Sequence, residues 1–348
     1  MKDCMLEVKL PFVMDETLRC YLCNAFWGGI LSAYQNMEEW IVEHYIQMFY
    51  VSNRFILNTN QIESQLNYYG GWSEPMKLFE QQLVRLGDIK NYDIVNELSH
   101  ALEQGYYCYT YINEKYVGNK QDTAHDVFVI GKNDRTKKFK VIGYFNSRYS
   151  SIEMDYELMM ETFASGITIA LSSNNAIDDY VKLYKPLFND KTVYHLKLGT
   201  LILRTQEYLD STNTGMLKRS GDINHGMYEM PNSYYGLSMY TQWIEELAFQ
   251  GSKLGEVDYR KFHAVYEHKL MMSRRVGVLE RKYGTLFNHE KKMLREIIHF
   301  LEVLRMLALK YNNSRKKENF ENILQKISVL HDLDKEFMMQ FLATLKKI

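Results

Sequence analysis

Two residues with nucleophilic and basic side chains stand where a cysteine-dependent enzyme would need them. Cys20 precedes a run of apolar residues at helical spacing, and His125 leads into an apolar stretch typical of a strand. Cysteine is a nucleophile as the thiolate, which a helix N-terminus and a nearby imidazolium both stabilise. We therefore predict that Cys20 and His125 form a thiolate–imidazole centre. The alternative, two buried residues without chemistry, stays open.

A histidine base also needs a hydrogen-bond acceptor that fixes its tautomer and orientation. If His125 begins the first strand of a hairpin, this acceptor should lie at the end of the returning strand. Asn146 is the first candidate there, followed by Tyr144 or the backbone. Asp126 is ranked lower, because neighbouring side chains in a strand point to opposite faces. The predicted catalytic set is Cys20, His125 and Asn146.

Cys23 follows Cys20 by one helical turn and is expected to be a small packing residue, although it is the other candidate nucleophile. No second pair of metal-ligating residues accompanies this Cys-x-x-Cys, so we expect no zinc site. The strand order of a thioredoxin-like redox protein is also missing around it. We predict neither a metal nor a cofactor of the protein's own.

Composition narrows the class of protein. The chain has 348 residues, 46% of them hydrophobic, and a formal net charge of −1. This balance does not suggest a nucleic-acid-binding or disordered protein. Four irregularly spaced cysteines do not suggest a secreted disulfide framework. With neither a signal-peptide pattern nor a run of eighteen apolar residues, the sequence predicts a soluble cytoplasmic protein without a membrane partner.

The elements around the two candidate residues predict an α+β fold. Alternation predicts a strand over Tyr106–Tyr116, and His125–Ile130 and Phe139–Tyr144 form a predicted hairpin. From about residue 150 the apolar spacing is helical, including 176–187, 320–330 and 335–347. We therefore expect a thiol domain over residues 1–150 and an all-α region over residues 151–348, which would bind substrate or carrier protein.

Two further groups of residues are candidates for substrate binding. The aromatic side chains of Trp27, Tyr107 and Tyr109 could line a substrate wall, although packing against a sheet is their more usual role. Arg260 and His268 lie on a predicted helix with several other charged residues. A solvated charged face is the ordinary meaning of such a pattern, and a docking surface for an acidic carrier protein or its phosphate is the alternative.

Three stretches of the chain resemble a known family. They are Gly105-Tyr106-Tyr107 with Asn113-Glu114-Lys115-Tyr116, His125-Asp126 with Gly131 and Val141-Ile142-Gly143-Tyr144, and the segment from Asp258-Tyr259-Arg260 to Leu279. On these residues the chain is similar to the butirosin-biosynthesis-protein-H-like branch of papain-like proteins. That branch joins a papain-like N-terminal domain to a helical C-terminal region in natural-product gene clusters. The amide-forming protease homologue of closthioamide assembly looks like another relative.

The resemblance implies an acyltransferase that passes an acyl or peptidyl group from the phosphopantetheine thioester of a carrier protein to a small amine, forming an amide bond. Alternatives are a papain-like cysteine peptidase or thioesterase, and a non-catalytic binding protein on that fold. Peptidases of this shape carry an Asp where this chain has Asn146, and a Gln upstream of the cysteine where it has Met14-Asp15-Glu16-Thr17. The oxyanion hole is therefore expected to use the Cys20 backbone N–H and one other donor.

Overall fold

The protein has mixed α and β structure, as the sequence predicts, and its chain is divided between two compact units. The computed structural model describes residues 6–51, 65–68, 73–85, 93–118, 121–146, 148–172, 180–212, 233–251, 255–284 and 287–348. Unit 1 takes residues 1–15, 25–35 and 74–192, and unit 2 takes residues 16–24, 36–73 and 193–348. The chain therefore alternates between the units, whereas the sequence predicted one boundary at residue 150.

Unit 1 is built on a seven-stranded antiparallel sheet of order β4-β9-β5-β6-β7-β8, with β1 paired to β6. Neighbouring β5, β6 and β7 confirm the strand and the hairpin that alternation predicted. The strands are β1 (Glu7–Lys9), β4 (Phe79–Arg85), β5 (Tyr107–Asn113), β6 (Ala124–Asn133), β7 (Lys138–Phe145), β8 (Arg148–Asp155) and β9 (Tyr180–Pro186). A single helical turn, α3 (Ser73–Met76), precedes β4.

Helices cover both faces of this sheet. On one face, α4 (Ile94–Glu103) and α5 (Tyr156–Ser172) share an apolar core with the strands, in which Cys108 and Val127 are fully buried. Asp93 caps α4 by accepting a hydrogen bond from the Asn96 backbone N–H at 3.3 Å. On the other face lies α1 (Leu22–Ser32), whose Phe26 stacks on Phe128 with ring centroids 4.6 Å apart. The sheet is therefore the middle layer of unit 1.

Unit 2 combines a small antiparallel sheet of order β10-β2-β3 with helices, of which the last three are long. The Asp258 side chain caps the first of these by accepting from the Arg260 backbone N–H at 3.0 Å, and Gly284 ends it with a φ of 66°. The elements are β2 (Met48–Val51), β3 (Gln65–Tyr68), β10 (Ser233–Tyr235), α2 (Glu38–Glu43), α6 (Leu198–Leu209), α7 (Ser238–Gly251), α8 (Tyr259–Tyr283), α9 (Asn288–Ser314) and α10 (Lys317–Leu345).

Two elements differ from their predictions. Residues 180–186 form strand β9, which pairs with both β4 and β5, although a helix was expected over 176–187. Pro186 belongs to this segment, and a proline that far inside a helix removes a hydrogen bond. Residues 320–330 and 335–347 were expected as two helices, but Lys317–Leu345 is one continuous helix. None of the helices in the described ranges has the length and apolar character that crossing a membrane requires.

Candidate functional site

Cys20 belongs to unit 2 and His125 belongs to unit 1. Cys20 lies in a short segment two residues before α1 begins at Leu22, close to the helix start that the sequence predicted. It is mostly buried, with 8% of its surface exposed. Cys20 is also a free cysteine. A free thiol beside a helix start is consistent with the predicted nucleophile.

The segment that carries Cys20 lies against one side of α8. The Cys20 thiol donates to the Arg260 carbonyl oxygen at 3.3 Å, and the Cys20 backbone N–H donates to the Glu267 carboxylate at 2.8 Å. The Arg19 backbone N–H donates to the same carboxylate at 3.2 Å. Glu267 in turn accepts from His263 Nε2 at 3.1 Å. The N–H that was expected to serve as an oxyanion donor is therefore bound to a carboxylate.

His125 has a carboxylate partner in Asp126. The two atoms His125 Nδ1 and Asp126 Oδ1 are 2.9 Å apart, and Nδ1 is 3.2 Å from the Asp126 carbonyl oxygen. The expectation that the Asp126 side chain points away from the imidazole is wrong. Strand alternation fixes the directions of the Cβ atoms, but the ring here turns along the strand towards the next residue. Nε2 is left as the ring nitrogen that could exchange a proton with a reacting group.

Tyr109 on the neighbouring strand supports the Asp126 carboxylate. Its hydroxyl donates to Asp126 Oδ2 at 3.1 Å, so the carboxylate bonds to His125 through one oxygen and to Tyr109 through the other. In the β5–β6 register, Tyr109 faces Phe128 and Tyr111 faces Asp126. The hydroxyl therefore reaches the carboxylate diagonally across the pair of strands. Burial and the nearby Asp126 charge hold the pKa of Tyr109 well above its usual value, so it remains a donor.

This pairing changes the protonation of His125. Burial lowers the pKa of the imidazole, but the Asp126 carboxylate and the Glu114 charge raise it, and the balance raises the pKa from 6.5 to about 9. At neutral pH the ring is therefore an imidazolium. An imidazolium favours a thiolate, whereas a base role requires the ring to lose its proton first.

We expect His125 to stabilise the folded protein in a pH-dependent way. Because its folded pKa lies above 6.5, its contribution to the free energy of unfolding is complete below pH 6.5 and is lost as the pH rises from 6.5 through about 9. The difference in unfolding free energy between the wild type and His125→Gln should shrink over that range. Urea unfolding at several pH values measures this difference, and an NMR titration of the ring at or below 6.5 would contradict the assignment.

Asn146 is a turn residue. It lies between paired Phe145 and Arg148 at the β7–β8 connection, is exposed, and has a φ of 52°. Asn tolerates this left-handed conformation better than most residues, which explains its place in the hairpin. Its amide lies so close to Gly118 that a Cβ there would be 2.7 Å from Asn146 Oδ1. The structure therefore gives the orienting contact on His125 to Asp126 and not to Asn146.

Trp27 and Tyr107 belong to the packing of unit 1. Both are 1% exposed, and Trp27 contacts Phe79 and Tyr184 with ring centroids 4.9 and 4.7 Å away. Tyr107 stacks on Phe128 at 5.7 Å, and its hydroxyl donates to a backbone carbonyl oxygen at 2.5 Å. Large rings at helix–sheet contacts gain most by being buried, so both side chains take the more usual packing role, and their assignment to a substrate wall stays a prediction.

Arg260 contacts the Cys20 segment through its backbone. Its guanidinium binds the Asp258 carboxylate through Nε and Nη2, each at 3.0 Å, and this ion pair is partly exposed. Its carbonyl oxygen accepts from the Cys20 thiol. Arg260 therefore lies beside the predicted nucleophile through its peptide group, and its assignment to substrate or carrier-protein binding stays a prediction.

The charged run that includes His268 is not an exposed face. His268, Lys269 and Arg275 are all fully buried in unit 2. His268 Nε2 is 2.9 Å from the Ile46 carbonyl oxygen, and burial, with the nearby Lys269 and Arg275 charges, lowers the pKa of the ring well below 6.5. Lys269 pairs with Asp334. The exposed charged face that the pattern predicted for His268 is therefore not found, because this residue and its charged neighbours are buried inside unit 2. Its assignment to substrate or carrier-protein binding stays a prediction.

Sequence reasoning missed two residues of the site. The rule that neighbouring strand residues point to opposite faces ranks Asp126 too low as the acceptor that orients His125. Glu267 is one of the other charged residues on the helix predicted around Arg260 and His268, and no local signal could reveal that it binds backbone groups about 250 positions earlier in the chain. The spacing of His263 and Glu267, four residues apart on α8, was the one available sign of a bonded pair.

When the chain is compared with known proteins, no protein-family model and no curated protein matches it. The functional interpretation therefore depends on the residues and contacts of the chain itself.

Proposed function

We propose that this protein is a cysteine-dependent acyltransferase of papain-like type, with Cys20 as nucleophile and His125 as base. The observation that carries the proposal is the chain of hydrogen bonds from Tyr109 to Asp126 to His125. A carboxylate on Nδ1 that is itself held by a donor is the arrangement that keeps a catalytic imidazole in one tautomer.

The proposed reaction takes an acyl or peptidyl group from a carrier-protein phosphopantetheine thioester to a small amine. The Cys20 thiolate attacks the thioester carbonyl carbon, the carbonyl electron pair moves to oxygen, and the pantetheine thiolate leaves as the C=O re-forms. The amine then attacks the Cys20 thioester, His125 accepts its proton, and the Cys20 thiolate leaves. The thioester supplies the activation, so no cofactor of the protein's own enters the scheme, which we place in the cytoplasm.

The protonation of His125 fits the first half of this scheme better than the second. At neutral pH the imidazolium favours the thiolate that attacks the thioester. The amine step needs the neutral ring, which becomes abundant only as the pH approaches about 9. The rate of amide formation should therefore increase from pH 7 towards pH 9, whereas acylation of Cys20 should not require the neutral form of His125.

The test is to incubate the protein with a synthetic acyl-pantetheine thioester and to measure its intact mass. We expect a single acyl adduct, lost in Cys20→Ala and kept in Cys108→Ala, because Cys108 is fully buried and burial raises its pKa. Adding an amine should discharge the adduct as an amide. Absence of an adduct on Cys20 would reject the proposal, and free acid as the only product would identify a thioesterase or peptidase instead.

A further inference from the structure

The proposed reaction needs donors for the oxyanion that forms when Cys20 attacks a carbonyl. The backbone N–H groups of Arg19 and Cys20 are consecutive, and both point at one carboxylate, that of Glu267, at 3.2 and 2.8 Å. The Arg19 N–H binds Oε1 and the Cys20 N–H binds Oε2, so the two successive N–H groups, which we call the nest, hold the two oxygens of one anion. The Cys20 N–H distance lies within the range of about 2.7–3.1 Å expected for a donor to an oxyanion, and the Arg19 N–H distance is about 0.1 Å longer than that range.

Glu267 is well placed to be an internal occupant of that nest. Its side chain is 2% exposed, and His263 Nε2 donates to it at 3.1 Å. The Arg19 guanidinium lies 3.8 Å from Glu267 Oε1. The carboxylate thus has the charge and the position of an oxyanion, held between the Cys20 segment and the side of α8. While it is there, neither N–H can bind the oxygen of a substrate carbonyl.

We propose that the backbone N–H groups of Arg19 and Cys20 form the oxyanion hole for Cys20, and that Glu267 fills this hole in the resting protein. This inference deepens the proposed function, since it assigns the second donor that the missing upstream Gln leaves open. Glu267 has to withdraw before a thioester can react. Its departure also removes a negative charge from beside the thiol, and a nearby negative charge disfavours the thiolate.

Two chemical probes distinguish the opening of the oxyanion hole from the loss of the negative charge beside the thiol. Iodoacetamide alkylates a thiolate at a saturated carbon, so its rate reports the thiolate fraction but needs no oxyanion hole. Phenyl thioacetate acylates the thiolate: the sulfur attacks the carbonyl carbon, the electron pair moves to oxygen, and thiophenolate leaves. Its rate therefore depends on the thiolate fraction and on the hole. Both probes are small and require no recognition of a carrier protein.

Glu267→Gln and Glu267→Ala should respond differently. Gln removes the charge but keeps an oxygen on one of the two N–H groups and an NH2 group in front of the other, so neither N–H opens to a substrate carbonyl and both rates should rise together, by about three- to tenfold at pH 7. Ala also empties the nest, so acylation should rise at least about tenfold more than alkylation, in keeping with the size of an oxyanion-donor effect. Peptide mapping by mass spectrometry assigns each adduct to Cys20, and the pH profile of alkylation gives the thiol pKa in each variant.

Glu246→Ala is the matched control. Glu246 is also a buried carboxylate of unit 2, accepting from the Tyr50 hydroxyl at 2.6 Å and from Lys261 at 3.2 Å. It should destabilise the protein comparably without changing the ratio of acylation to alkylation. An unchanged ratio in Glu267→Ala, or an equal change in Glu246→Ala, overturns the inference. A changed ratio with no adduct from the pantetheine thioester would keep the inference and reject the proposed transferase.

Discussion

Replacing Lys269 by Met is expected to lower the free energy of unfolding by about 3–5 kcal/mol, the usual cost of breaking a buried ion pair on one side. Lys269 on α8 pairs with Asp334 on α10, and Asp334 accepts from the Tyr208 hydroxyl at 2.7 Å and the Tyr240 hydroxyl at 2.8 Å. The ion pair has no exposed surface. Without the ammonium group, Asp334 would remain as a buried charge with only two neutral donors.

Urea unfolding of the whole protein measures this loss, and an exposed ion pair gives the control. Lys317 and Glu321 lie 3.2 Å apart on the surface of α10, so Lys317→Met should change the unfolding free energy by less than about 0.5 kcal/mol. Adding Asp334→Asn to Lys269→Met removes the orphaned charge and should recover part of the loss. A cost below about 1 kcal/mol for Lys269→Met would mean that water or another group compensates Asp334.

The same helix shows what the sequence could not predict. Glu267, His268 and Lys269 are consecutive, so they point in three directions around α8, yet all three are buried. Charged residues are seldom fully buried unless they are paired, and a sequence does not display partners that lie far away along the chain. The pattern of α8 therefore predicted a solvated face, whereas the fold makes α8 a central helix of unit 2.

In the sheet of unit 1, some strands could be predicted from the local sequence, and one strand depends on pairing with residues far away in the chain. Strands β5, β6 and β7 could be predicted, since their side chains alternate and short turns connect β6 to β7. Strand β9 could not, because its pairing with β4 and β5 joins residues about 75 to 105 positions apart. Val181 and Leu183 both face the apolar core. This alternation of apolar residues is too short to predict a strand against the helical spacing of the apolar residues around it.

The candidate site was predictable to a similar degree. Residue type and local context singled out Cys20 and His125, and both have surroundings in which their chemistry is plausible. The sequence did not predict the partners of these two residues. The contact of His125 with Asp126 depends on how the imidazole ring turns at the start of a strand, and the contact of Cys20 with Glu267 depends on how a distant helix, α8, packs. Whether His125 is oriented by Asp126 or by Asn146 is therefore the sharpest difference between the sequence-based prediction and the structure.

Asp126→Asn is expected to lower the rate of amide formation by about 10³- to 10⁴-fold above about pH 9, where His125 is neutral in both proteins, which is the effect of losing the orienting carboxylate in a catalytic triad. At neutral pH the loss should be smaller, because the wild-type ring is then mostly protonated. The amide would present either a donor or a weaker acceptor to Nδ1, so the ring would lose its fixed tautomer. Removing the charge should also lower the pKa of His125 from about 9, which shifts the rise of the rate with pH towards lower pH. The pH–rate profile of amide formation in a single-turnover assay measures both changes.

Asn146→Ala is the decisive comparison for this prediction. Because Asn146 lies in the β7–β8 turn and Asp126 holds the imidazole, Asn146→Ala should keep the rate within about threefold and leave the pH profile unchanged, while losing some stability at its left-handed position. Tyr109→Phe should fall between the two, since the carboxylate keeps its charge but loses the donor at 3.1 Å. If Asn146→Ala abolished the reaction and Asp126→Asn did not, the orienting residue would be Asn146, and the pairing of His125 with Asp126 would be structural.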